Sequence, residues 1–330
     1  MINPEEVIHI KEWYSPDLSR KELKGYLKRD NYHAVLYFGL WLLLLALAGY
    51  LAYRLYPRSW AIPAFFFYGI VYASANAKWH ECSHGTAFKA RWPNELFYFI
   101  GGAMEFRDVV DFRWSHARHH SYTIMTGIDP EIAISRPPKI WHVLLDFFYL
   151  RSGFVALKNL ILHSLGIPSK TVKPYVPEEE YGKMFWWARA ALLLHLVVIG
   201  LAVATRSWLP VLFFGLPRFY GSFFQWDFIW LQHVGLAENV WDHRLNTRSL
   251  ELNFFFSFLF MNMESHIEHH LYPLVPFHAL PKLHERLKDQ LPKPYRGLWA
   301  GSRELLPLLF RQKRNPSLYI RREVPVQTAE

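Results

Sequence analysis

The chain of 330 residues holds a single cysteine, Cys82. That scarcity excludes an internal disulfide, a cysteine-rich zinc module and a cysteine-ligated iron–sulfur cluster. Glycine is sparse too, and no G-x-G-x-x-G nucleotide fingerprint occurs. No internal repeat, low-complexity tract or linker divides the sequence, and the first 33 residues carry no apolar stretch of signal-peptide type. Formal charge is missing in blocks: Ala34–Tyr53 and Trp60–Ala77 contain none. Runs of that length and composition approach the roughly 20 residues a bilayer span needs, which argues against a purely cytosolic enzyme.

Two further apolar runs, Trp186–Thr205 and Trp208–Trp226, are separated by Arg206. The reading is an all-α integral membrane protein forming a single domain over 1–330. It has four transmembrane helices, at about 34–53, 60–77, 186–205 and 208–226. Lysines and arginines number six before the first run, thirteen from 78 to 183 and thirteen after 231, whereas the opposite turns hold only Arg54, Arg58 and Arg206. This bias places 1–33, 78–185 and 227–330 in the cytoplasm. Aromatic content of 18% suits a chain with many residues at lipid–water interfaces. The net charge of +9 is spread beside apolar runs and not gathered on one patch, which favours anionic headgroups over nucleic acid. Trp141–His163, interrupted by Asp146, Arg151 and Lys158, reads as a helix lying in the interface. Ala279–Leu291 reads as an amphipathic helix packed on the cytoplasmic part.

Histidine is abundant, at 17 residues. Three clusters stand out: His80-Glu-Cys-Ser-His84, His116-Ala-Arg-His119-His120 and His266-Ile-Glu-His269-His270. On a helix, positions i, i+3 and i+4 share a face, so each cluster aims two or three imidazoles at one point. Neutral imidazole is a ligand for iron, zinc, copper or nickel. Chance produces an H-x-x-H-H pattern about 0.04 times in such a composition. All eight residues fall on one side of the expected membrane, as does His233. So many imidazoles exceed what one metal can use, which implies two. The isolated His9, His33, His142, His163, His243, His278 and His284 read as surface or packing residues.

This series of boxes over four spans resembles the integral-membrane fatty acid desaturase and hydroxylase superfamily. His266-Ile-Glu-His-His-Leu-Tyr-Pro273, followed by Pro276-Phe-His278, is similar to that family's third-box context, and Gln232-His233 matches the position of an additional ligand. The resemblance implies a di-iron centre bound by His80, His84, His116, His119, His120, His233, His266, His269 and His270. It implies dioxygen as co-substrate and oxidation of an unactivated C–H bond, with desaturation of fatty acyl chains as the first reading. Hydroxylation, or oxidative demethylation of a small polar metabolite, is the alternative. Each turnover needs two electrons, so an external donor is expected, a ferredoxin or similar carrier with its reductase. The implied location is the bacterial inner membrane, with the active site on the cytoplasmic side among membrane lipids. An all-histidine ligand set needs hydrogen-bond acceptors behind it, and Glu81, Asp129, Glu264 and Glu268 are candidates, with Asp108, Asp111 and Glu131 nearby. Arg218 and His195 sit near the middle of separate apolar runs, and Arg218 is a candidate for meeting a polar or carboxylate-bearing substrate.

Two other classes fit parts of the pattern. His80-Glu81-Cys-Ser-His84 is also H-E-x-x-H, the zinc-peptidase signature with Glu81 as general base, but that leaves two histidine clusters without a role. A metal transporter would place its ligands within the spans and not beyond their ends.

Overall fold

The computed structural model describes residues 12–325, apart from the side chains of 224–227. His9 and Lys11 lie outside the described residues. The described residues are mostly helical, and the only strands among them are the two-residue segments Leu250–Glu251 and Tyr295–Arg296, which pair in parallel. It divides into two compact units. One comprises Asp30–Trp114 and Leu144–Trp226, the other the N-terminal segment to Arg29, Ser115–Val143 and the chain from Asp227.

The first unit holds two helices long and apolar enough to cross a membrane, Asn31–Leu55 and Glu178–Ala204. Asn31–Leu55 starts where the Asp30 carboxylate accepts the Tyr32 amide at 2.9 Å, satisfying a donor that the first turn leaves orphaned. The second apolar run is not one helix. Ala61–Ala73 ends at Ser74, whose hydroxyl donates back to the Val71 carbonyl at 2.7 Å, and Ala75–Ser83 follows at once.

The fourth run, expected as a single helix over 208–226, departs further. It forms Leu209–Phe213, Pro217–Tyr220 and Ser222–His233. Pro217 and two glycines make the breaks. Gly215 has φ +92°, and Gly221 approaches Gly69 so closely that a Cβ there would sit 2.0 Å from the Gly69 carbonyl oxygen. Breaking a helix in apolar surroundings frees backbone groups that need partners. Tyrosines supply them: Tyr68 donates to the Phe213 carbonyl at 2.8 Å and Tyr220 to that of Leu212 at 2.7 Å, while Tyr72 accepts the Gly215 amide at 3.3 Å.

The stretch over 141–163 is also two helices, Ile140–Phe147 and Leu150–Ser164, bent by 76°. Tyr149 at the bend has φ +58°, and Asp146 caps the second helix by accepting the Ser152 amide at 2.7 Å. Asp108 accepts the amides of Val110 and Asp111 at 3.1 and 2.8 Å, capping the helix Val109–Ser121. Its other oxygen holds buried His163 Nδ1 at 2.7 Å.

In the second unit, Ser19 and Glu22 form a reciprocal capping box at the start of Arg20–Tyr26. Leu280–Leu287 is the amphipathic helix expected near 279–291, and buries Leu280, Leu283 and Leu287. Sulfur is buried in both units: Cys82, Met104 and Met184 in the first, Met125, Met261 and Met263 in the second, none more than 3% exposed.

Candidate metal centre

Histidines collect in the second unit. The last turns of Val109–Ser121 carry His116, His119 and His120; the end of Ser222–His233 carries His233; the short helix His266–Leu271 carries His266, His269 and His270. His119, His233 and His270 each present a ring nitrogen within 4.8 Å of the other two, and so, separately, do His116, His120 and His269. His266 Nε2 lies 3.1 Å from His233 Nε2 and 3.2 Å from His270 Nε2, while His116 and His120 Nε2 are 3.0 Å apart.

Hydrogen bonds on the far side of the rings decide which nitrogen faces inward. His119 Nδ1 donates to Asp129 at 2.8 Å, His116 Nδ1 to Glu131 at 2.9 Å, and His233 Nδ1 to the Asn246 carbonyl at 3.0 Å. The Thr123 hydroxyl donates to the His119 carbonyl at 2.8 Å, so at 3.1 Å from His270 Nδ1 it is left to accept. Each of these rings is thereby fixed with its proton on Nδ1 and its Nε2 lone pair directed at its neighbours. In each of the 3.0–3.2 Å contacts one ring, His116, His233 or His270, presents its lone pair to an Nε2 of His120 or His266. Metal–imidazole bonds of about 2.1 Å at right angles put two nitrogens about 3.0 Å apart, so the spacing fits adjacent ligands on a shared ion.

For two of these rings burial favours the neutral form that ligation needs. Burial pushes His233 down to about 3 and His270 well below the ordinary imidazole range, aided in both by neighbouring histidines, so both rings are neutral. Burial opposes the charged form of His119 as well, but Asp129 and Glu131 outweigh it and raise its pKa. Asp129 is itself held low: burial works the other way, but His119 and the amides of Glu131 and Ile124 prevail.

In the first unit, His80 lies on Ala75–Ser83 and His84 caps its C-terminus, with ring centroids 5.2 Å apart and ring nitrogens within 4.8 Å. Burial pushes His84 down to about 4. Between them in sequence, Glu81 is buried and accepts the Thr86 hydroxyl at 2.6 Å.

Two residues considered from sequence sit differently from expectation. Glu268 contacts His284 through one oxygen and the Ser249 hydroxyl, at 2.8 Å, through the other, so it braces the box helix and not a box imidazole. Arg218 already has a carboxylate: its Nε is 2.6 Å from Glu105 Oε2, both side chains are 3% exposed, and its guanidinium lies 4.0 Å over the Tyr149 ring. A protein carboxylate thus occupies the position offered to a substrate's. Glu264 is half-buried, and burial raises its carboxyl. His195 is buried and bonds the Ala103 carbonyl at 2.9 Å through Nε2.

Other supporting residues carry no sequence signal. Arg248 is 1% exposed, and its Nη1 donates to the carbonyls of Leu231 and Val234 at 2.8 Å each. It therefore closes the C-terminal end of the helix that presents His233, where a cation also suits the helix dipole. Buried His243 stacks on Trp13 at 4.0 Å, with its ring 5.1 Å from that of His270. His284, read as a surface or packing residue, is the partner of Glu268.

Comparison with known proteins accords with this geometry. The family model for fatty acid desaturases matches residues 57–302. A Delta(9) fatty acid conjugase-like enzyme of Dimorphotheca sinuata is 22% identical over 263 residues, covering 69% of this chain and 70% of that protein. A match over most of the sequence, on a chain with metal-competent histidines and membrane-length helices, makes this membrane oxidoreductase a member of the fatty acid desaturase family.

Proposed function

We propose that the protein is a dioxygen-dependent di-iron oxidase that desaturates fatty acyl chains. The observation that carries this reading is the pair of three-histidine groups, His119/His233/His270 and His116/His120/His269, each with ring nitrogens within 4.8 Å of one another. His266 belongs with the first group, and the box pattern adds His80 and His84 to the ligand set. When bound, two irons would supply dioxygen activation and hydrogen abstraction from an unactivated C–H bond. The chain's own part is to keep His233 and His270 neutral by burial and to fix tautomers through Asp129, Glu131, Thr123 and the Asn246 carbonyl. The fatty-acid description of the relative supports an acyl substrate. So does the carboxylate already held by Arg218, which removes the motive for a small anionic one.

The rest of the reading follows the sequence. The chain has four membrane segments, the broken run 208–226 being the fourth, and its active site is on the cytoplasmic side of the bacterial inner membrane. The chain works as one desaturase domain, and an external ferredoxin or similar carrier with its reductase delivers the two electrons. The test joins metal content to product analysis: purify the protein, count iron and zinc per chain, then supply dioxygen, a ferredoxin system and a cell lipid extract. About two irons and a new double bond are expected. Two irons with untouched lipids would move the search to hydroxylation of other substrates, and one zinc without iron would overturn the assignment.

A further inference from the structure

The helix Gly297–Gln312 has two apolar faces. One is buried and includes Leu305, Leu308 and Leu309, with Gly301 set so close to Leu231 that a Cβ would stand 2.7 Å from its Cδ2. The other carries Trp299, Arg303, Leu306 and Phe310, at spacings of i, i+4, i+7 and i+11 that follow the helical period as one stripe. Trp299 is 74% exposed, Leu306 44% and Phe310 61%. Phe254, 83% exposed, and Phe255 open the helix Phe254–Phe260. The parallel register pairs Glu251 with Arg296, and Phe254 and Trp299 each lie three residues beyond those partners. The chain around this stripe also bears exposed Arg296 before the helix, Arg303 on the stripe, and Arg311, Lys313 and Arg314 at the helix end. Its acids are fewer: Glu304, taken up by the Tyr295 hydroxyl, and Glu251, 4.0 Å from Arg296.

We propose that this face, in a part of the chain that forms none of the expected spans, is seated on an anionic lipid bilayer surface. Trp and Phe enter the headgroup–acyl boundary, and the arginines and lysine pair with lipid phosphates. The composition is that of an interfacial helix: large aromatic and aliphatic side chains on one stripe, cations along it and at its end. Permanence argues for lipid over an electron-carrying protein. A carrier docks through a small, wet interface and leaves between turnovers, exposing five large apolar side chains to water each time. A membrane covers them continuously. The inference needs only membrane residence, and it stands or falls separately from the iron chemistry.

Cys82 is buried, so a thiol-reactive nitroxide will label an introduced surface cysteine selectively. The experiment places Leu306→Cys, Phe310→Cys and, as a control on an exposed turn, Ser317→Cys in the full chain. Each is reconstituted at one chain per nanodisc, with or without phosphatidylglycerol. Labels at 306 and 310 are expected to lose accessibility to a water-soluble nickel chelate and gain it to oxygen, while 317 stays open to nickel. Adding Arg303→Glu and Arg311→Glu should weaken seating by roughly thirtyfold per reversal in anionic discs, at about fivefold per charge. Unchanged unfolding temperatures would show that the labelled variants are folded. The proposal is overturned if 306 and 310 are as nickel-accessible as 317. It is equally overturned if protection appears only when an acidic ferredoxin is added, or only with two chains per disc.

Discussion

Asp129→Asn tests how the second histidine box is held. The native carboxylate has three donors: His119 Nδ1 and the Ile124 amide on one oxygen and the Glu131 amide on the other, all at 2.8 Å. Asparagine is nearly isosteric but offers one acceptor oxygen. If that oxygen faces His119, the amide NH2 confronts the Glu131 N–H, donor against donor, at a cost of about 1–3 kcal/mol in a buried site. The lost negative charge also makes His119 a poorer base, since Asp129 is the first of the carboxylates that raise its pKa. Replacing such a supporting partner typically lowers metal affinity by about 10–100-fold, or roughly 1.4–2.7 kcal/mol. Chelator competition with ferrous iron, alongside thermal unfolding of the metal-free protein, separates the two effects. A variant with wild-type iron affinity and full turnover would refute the claim that Asp129 sets the basicity and tautomer of His119.

Three other outcomes follow from the same geometry. His269→Ala, or His119→Ala, is expected to abolish turnover while leaving the protein in the membrane fraction; measurable wild-type product formation by either would sink the metal assignment. Arg218→Ala strands Glu105 in a buried position and should destabilise by about 3–5 kcal/mol, whereas Arg218→Met with Glu105→Gln should recover most of that loss; unfolding midpoints in detergent decide it. Hydrogen exchange across Arg20–Tyr26 should respond to acid. Glu22, hydrogen-bonded to Arg286 and Ser19, has its folded pKa lowered from 4.5 to about 2. Its contribution is therefore complete above 4.5 and disappears as pH falls toward 2. Protection that stays flat across that window, after correction for intrinsic exchange, contradicts the capping role.

What could be read from sequence was local. The three boxes were legible because i, i+3, i+4 spacing is a property of a single helix, and the runs near 34–53 and 186–205 were legible because continuous apolarity is as well. The run over 208–226 was not: hydropathy counts Gly215, Pro217 and Gly221 as tolerable, while its breaks depend on tyrosine hydroxyls that capture the freed backbone groups. The braces behind the histidines split the same way. Asp129 and Glu131 stood close enough in sequence to be considered. The pairing of Glu268 with His284 and the closure of a helix end by Arg248 join segments whose approach no periodicity encodes.

The burial of every described sulfur atom bears on how this protein ages. Thioethers and thiols oxidise according to exposure and, for cysteine, thiolate character. Burial pushes the Cys82 thiol well above its usual range, so it is shielded on both counts. In a protein proposed to work with dioxygen, stray peroxide would find no sulfur among the described residues within reach of the folded surface. Sulfoxide at Met125, Met261 or Met263 would then record moments when the histidine-bearing unit had opened, and its rate of appearance would serve as a clock for that opening.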